Sequence, residues 1–329
     1  MLDRPTLYNI IYALAACKGR DERLFGTGAQ LSQEAFRRAV VGRDFPELWF
    51  ELPLMGEPWF DLHTLFSRES LDSTHTYTAD ETAGYPELFA WFSRQQDARQ
   101  LALSYDVSAG DVENPAVQLL QWRRNVELNC DFLQMVGRAD MQEAYRAFVG
   151  RIPAGWYPCY TGVFPRRVDT TMHVECIPDR ELQRQYAQDG ALLEADLRAA
   201  GFTDLGDTLV PYCQQLAQKP FALEFQFDVQ ADGTLGSTLG ASLRFEAGTL
   251  EQDYGTFALN TETENLMSMI EHWGLSDDRW RLMCDTAFTK RATFKGESIV
   301  LFNFPIFVKL RWRAGEPLDA KAYLQAGAQ

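Results

Sequence analysis

Between Phe221 and Glu246 alternate residues call for opposite solvents, and this contrast restricts the chain to folds built on a sheet with unlike faces. Leu223, Phe225, Phe227 and Val229 fall on one side of the first run, and Glu224, Gln226 and Asp228 fall on the other. Asp232-Gly233 supplies residues that accept positive φ at a turn. The return run puts Leu239, Ala241, Leu243 and Phe245 opposite Ser242, Arg244 and Glu246, so acidic groups surround one arginine on a polar face.

The same contrast recurs along the chain. Trp49 and Glu51 oppose Phe50 and Leu52, and Asp61 and His63 oppose Phe60 and Leu62, across a turn at Met55-Gly56-Glu57-Pro58. Leu101 to Val107 reads as a strand, and Val112 to Gln121 as its partner or as the start of the helix carrying Trp122 to Val136. Trp156 to Val163 and Arg167 to Ile177 form another hairpin, whose return strand aligns Arg167, Asp169, Thr171, His173 and Glu175 on one face. Ser298 to Asn303 and Ile306 to Arg313 close the series, with Lys309, Arg311 and Arg313 alternating with Val308, Leu310 and Trp312.

Helices separate these pairs. Helical signals cover 5–17, 32–41, 86–92 and 140–149, a long helix from Asp179 to Ala200, and another from Leu205 to Gln218. Thr261-x-x-Glu264 reads as a capping box before Leu266 and Ile270, and Ser276 as the cap of a helix reaching Thr289. Five strand pairs with helices between them predict an α+β fold: an antiparallel ten-stranded barrel of repeated α-β-β-α units. In that arrangement the polar faces line the lumen, helices ring the outside, and residues 1–329 form a single domain.

Charge and cysteine usage narrow the partners. A net charge of −15 opposes binding to nucleic acid or anionic lipid. Neither a leader-like segment nor a run near the ~20 apolar residues of a membrane span is present, so a soluble, cytoplasmic protein is expected. Six cysteines without a C-x-x-C pair read as reduced, mostly buried thiols. Eight Trp and twenty-two Phe are enough for aromatic side chains to line a cavity as well as fill a core.

The repeated α-β-β-α plan resembles the ABBA, or PT-barrel, aromatic prenyltransferases. The run Asp169-Thr-Thr-Met-His-Val-Glu followed by Ile177-Pro-Asp-Arg-Glu-Leu is similar to a strand-into-helix junction of their cyanobactin-type, peptide-modifying branch. Thr171 and Glu224 stand where that resemblance leads one to expect cations. The resemblance implies transfer of a prenyl group from a prenyl diphosphate to an aromatic or peptide-borne acceptor, as in natural-product biosynthesis. No cofactor is required by that reading, and Mg²⁺ can accompany the diphosphate.

Such a transfer needs cations for the departing diphosphate, aromatic walls for an allylic cation, and a base. Arg167, Arg244, Lys309, Arg311 and Arg313 are the candidate diphosphate ligands. Trp49, Tyr105, Tyr160 and Trp312 are the candidate shields. Glu51 is the candidate base, a strand carboxylate whose proton affinity burial would raise; the resemblance also points to an early-strand Glu. Two other readings stand beside this one. A non-catalytic barrel would hold a peptide or small molecule for a partner enzyme, and a metal-dependent enzyme would use Asp169, His173 and Glu175, which project together from one strand. Motifs for zinc proteolysis, a nucleophile elbow or a P-loop are absent from the sequence.

Overall fold

Strands β1 (Glu47–Pro53), β2 (Asp61–Ser67), β3 (Ala98–Asp106), β4 (Asp111–Gln121), β5 (Trp156–Val163), β6 (Met172–Pro178), β7 (Ala222–Val229) and β8 (Leu235–Arg244) pair antiparallel in chain order. β9 (Phe288–Phe294), β10 (Glu297–Arg313) and β11 (Glu316–Ala328) complete the sheet. β8 pairs with β10, β10 with β11, and β11 returns to β1, so ten strands close into a barrel. β9 lies outside the ring, on the Glu297–Asn303 part of β10. The computed structural model describes residues 22–25, 47–79, 82–106, 111–121, 123–165, 171–245, 260–286, 288–294 and 297–328.

Closure follows from period two. Side chains at Leu48, Phe50, Leu52, Leu62, Leu101, Leu103, Val174, Phe225, Phe227, Leu243 and Leu310 are all nearly fully buried and face outward into one continuous core under the helices. Removing each large apolar side chain from water contributes ~1.5–3 kcal/mol, which fixes the register, because a one-residue slip would turn every one of them inward. A much smaller apolar cluster, which includes Trp49, Leu65, Ile306 and Tyr323, lies on the opposite, lumen side.

The outer helices differ in places from the sequence reading. The predicted helix from Asp179 to Ala200 is two helices, Arg180–Gln188 and Gly190–Ala199. Asp189 adopts extended backbone between them, and its Oδ1 accepts from the N–H groups of Ala191 and Leu192. The cap of helix Thr261–His272 is Asn260, whose Oδ1 accepts from Thr263 N at 2.8 Å, rather than Thr261. The helix expected from Ser276 to Thr289 shortens to Trp280–Thr286, because the chain enters β9 at Phe288. The helices predicted over 5–17 and 32–41 lie outside the described residues.

The last hairpin is the main correction. The runs 298–303 and 306–313 are one strand, β10, which passes Pro305 through a register shift between Pro305 and Phe307. A proline is tolerated there because a bulge needs no ladder donor. The partner of β10 is β11, reached through Ala314-Gly315, both with positive φ. A side chain at Gly315 would meet the Gly206 Cα at 2.4 Å, so only glycine lets the turn lie against that backbone. Among the described residues, no helix is long and apolar enough to cross a membrane.

Candidate active site

The lumen holds a cavity of about 440 Å³ whose walls come from the inward residues of nearly every strand. A larger cavity, about 860 Å³, lies between helices Arg180–Gln188 and Leu209–Ala217 and the start of β7, outside the barrel wall except at Arg244. We place the site in the smaller one because the charged side chains of several strands meet there.

At one end of the lumen β10 and β11 set their cations side by side. Lys309, Arg311, Arg313 and Lys321 all line the cavity, and Lys309 stands opposite Lys321 in the ladder. Two of the four are neutralised internally. Arg311 Nε donates to Asp319 Oδ1 at 2.8 Å, with a second bond to Oδ2, and Lys321 Nζ donates to Glu51 Oε1. Lys309 and Arg313 have no carboxylate partner among the described residues, although Arg313 Nε also reaches Thr238 Oγ1 at 3.4 Å.

Glu51 sits one layer deeper. Its carboxylate accepts from Lys321 Nζ, from Tyr323 Oη at 2.6 Å and from His63 Nε2 at 3.1 Å. Burial is the largest single influence on this carboxyl and pushes its pKa up. Lys321 and His63 outweigh it and hold Glu51 well below the usual range, so the raised proton affinity expected from burial is corrected to a lowered one. His63 Nδ1 in turn lies 2.5 Å from Ser104 Oγ. Tyr323 stacks on Phe307 with ring centroids 4.0 Å apart, and Trp49 meets Phe307 edge-on at 5.4 Å. Burial, reinforced by nearby carboxylates, drives the Tyr160 and Tyr323 phenols well above their ordinary range, so both stay neutral donors.

The opposite end has a different balance. Cys159 Sγ and one oxygen each of Glu175 and Glu224 lie within 4.8 Å of one another. Ser242 Oγ donates to Glu175 Oε1 at 2.8 Å, and Arg244 Nε approaches Glu224 Oε1 at 3.5 Å. Burial, then the neighbouring Glu175, raises Glu224 to about 7. The Arg244 guanidinium also lies 5.9 Å from the Trp49 and Phe307 ring centroids, so it borders the aromatic layer.

The sequence-derived candidates therefore divide. Lys309, Arg311, Arg313, Glu51, Trp49 and Tyr160 face the lumen, while Arg244 does so at the far end. Trp312 is corrected: its side chain belongs to the outer core with Leu310, and Tyr105 also packs in that core with Leu103 on the apolar phase of β3, although it borders the cavity as well. Arg167 and Asp169 lie outside the described residues. His173 and Glu175 do not converge, since His173 Nδ1 turns to Gln226 Nε2 at 2.5 Å and Glu175 to Ser242. Lys321, Asp319 and Tyr323 escaped the sequence reading. Their signal was present as Asp319, Lys321, Tyr323 and Gln325 alternating with Ala320, Ala322, Leu324 and Ala326, but alanines make a faint apolar face.

A closed ten-stranded antiparallel barrel sheathed in helices is the ABBA prenyltransferase barrel fold. One solved structure that shares it, described as a 6-dimethylallyl tryptophan synthase, aligns over 100% of this chain and 96% of its own, with a TM-score of 0.50 and 10% identity. At that identity the likeness is one of fold. No family model matches the chain, and no curated protein does.

Proposed function

We propose that this chain transfers a prenyl group from a prenyl diphosphate to an aromatic or peptide-borne acceptor held in the barrel lumen. The observation that carries the reading is the pairing of two lumen cations, Lys309 and Arg313, which have no carboxylate partner among the described residues, with an aromatic layer one step deeper. A departing diphosphate would take those cations and compete with Asp319 for Arg311. Trp49, Phe307, Tyr323 and Tyr160 would face the allylic cation, which rings stabilise without attacking. Glu51, ionised and bonded to His63, would anchor the base. Gln226, only 8% exposed, offers an Oε1 that has no hydrogen-bond partner among the described residues, and it borders the cavity, where an acceptor N–H or O–H would satisfy it. The name of the fold neighbour supports an aromatic acceptor, and the likeness of the 169–182 run to the cyanobactin-type branch supports a peptide-borne one.

Calorimetry with a nonreactive prenyl thiodiphosphate, with and without Mg²⁺, tests the reading and shows whether the metal contributes. Saturable binding that Lys309→Ala weakens about tenfold or more is expected from loss of one charge-assisted contact. Absence of binding to the wild-type chain would remove the proposal. A non-catalytic binding barrel is the competing reading, favoured by the internal neutralisation of Arg311 and Lys321, and it predicts that absence.

A further inference from the structure

The bonds around Glu51 leave it little room to receive a proton, and they point to a different entry. Glu51 is held ionised and already accepts from Lys321, Tyr323 and His63. A carboxylate only accepts, so His63 Nε2 carries the hydrogen in the bond between them. In the neutral ring Nδ1 is then the lone-pair nitrogen, and Ser104 Oγ, 2.5 Å away, must donate to it. Ser104, His63 and Glu51 thus form a directed chain across β3, β2 and β1, and all three line the cavity. Ser104 is 5% exposed, and its oxygen keeps lone pairs that this chain does not use.

We infer that Ser104 and His63 carry the acceptor's proton out of the reacting centre, with Glu51 as the fixed anion that stabilises the imidazolium. The inference rests on the prenyl-transfer reading and names its base. As the C–O bond to the diphosphate breaks, its electron pair leaves with the diphosphate, and the prenyl carbon bonds to the acceptor. The acceptor's proton passes to Ser104 Oγ while the serine hydroxyl proton moves to His63 Nδ1. Charge then rests on an imidazolium between Glu51 and Ser104, until His63 returns it to water. Ser104 touches the acceptor in this scheme, and His63 and Glu51 act through it. Asp61 on β2, Asp106 on β3, and Lys321 and Tyr323 on β11 line the same cavity as His63, and the Tyr323 ring centroid is 5.7 Å from that of His63.

Transfer by Ser104→Ala and by His63→Gln should fall ~10²–10³-fold in single turnover, the range of a lost general base. Binding of the thiodiphosphate analogue should stay within about threefold, which also reports that both variants keep the barrel. The acidic limb of the wild-type pH–rate profile should vanish in His63→Gln. A variant that retains that limb, or a Ser104→Ala chain that transfers at the wild-type rate, overturns the inference. If the wild-type chain transfers nothing, the prenyl reading has failed, and the relay is decided separately by ¹⁵N NMR of the imidazole. There a protonated Nε2 and a bare Nδ1, with an Nδ1 chemical shift altered by Ser104→Ala, are required. The opposite tautomer refutes it.

Discussion

The two ends of the lumen bury carboxyl groups to similar depth and treat them in opposite ways. Around Glu51 each carboxylate oxygen meets a donor, three donors in all and two of them cationic or able to become so, and the group is held ionised. Around Glu224 burial and then the Glu175 carboxyl outweigh Arg244, whose Nε stands at 3.5 Å, together with Lys309 and Arg99, so the group is pushed up to about 7. Burial alone therefore says nothing about protonation; the partners brought by neighbouring strands decide it. The cations near Glu51 outweigh its burial, whereas Arg244, Lys309 and Arg99 do not outweigh burial and Glu175 at Glu224.

Four experiments would break or sharpen this contrast. Lys321→Met strips Glu51 of its closest cation and should cost ~3–5 kcal/mol in urea denaturation near pH 7, the penalty for stranding a buried charge. Because the folded pKa of Glu51 is depressed, its pairing stabilises the wild type above about pH 4.5 and is lost as pH falls through the folded value, so the gap between the two chains should close in acid. A gap that persists unchanged at low pH would mean packing, not pairing, is at work. Removing both Lys309 and Arg313 to Ala should weaken the thiodiphosphate about 100-fold, while Glu175→Gln changes it by less than about threefold. If the Glu175 change has the larger effect, the anion binds at the wrong end.

Glu224→Gln probes the other region. A carboxyl raised to about 7 favours the folded state at low pH, and that benefit is lost between pH 4.5 and 7 as the unfolded chain gives up its proton first. Wild-type stability should therefore decline over that window, and the glutamine variant should flatten the decline by ~1–3 kcal/mol. Parallel profiles would show that Glu224 ionises freely. The smallest effect on binding belongs to Trp312→Phe, which changes an outer-core ring and should lower stability by ~1–3 kcal/mol while leaving thiodiphosphate affinity unaltered. A loss of affinity would return Trp312 to the lumen.

Much of the barrel was legible because alternation is a local property. The polar phases of β1, β2, β7, β8 and β10 named in the sequence are the lumen phases, and the same rule applied strictly would have placed Tyr105 with Leu101 and Leu103, and Trp312 with Leu310, in the outer core. β9 and β11 were lost for different reasons. β9 followed a helix signal whose end gave no warning, and β11 follows an Ala-Gly turn in place of the usual Asn-Gly or Asp-Gly. The count of ten ring strands nevertheless held, because the pair assigned to 298–313 is one strand and β11 fills the vacant place.

By itself the sequence determined which side chain of each strand turns away from water and which does not, since that depends only on period two and on the cost of exposing apolar surface. Tertiary structure alone decided that Lys321 reaches Glu51 across 270 positions of chain, and that Ser104 meets His63 across 41. Those meetings follow from the order in which strands close the ring, and no local pattern encodes that order. They also set the charge of each buried group, because a neighbour within hydrogen-bond distance outweighs anything the group's own segment can supply.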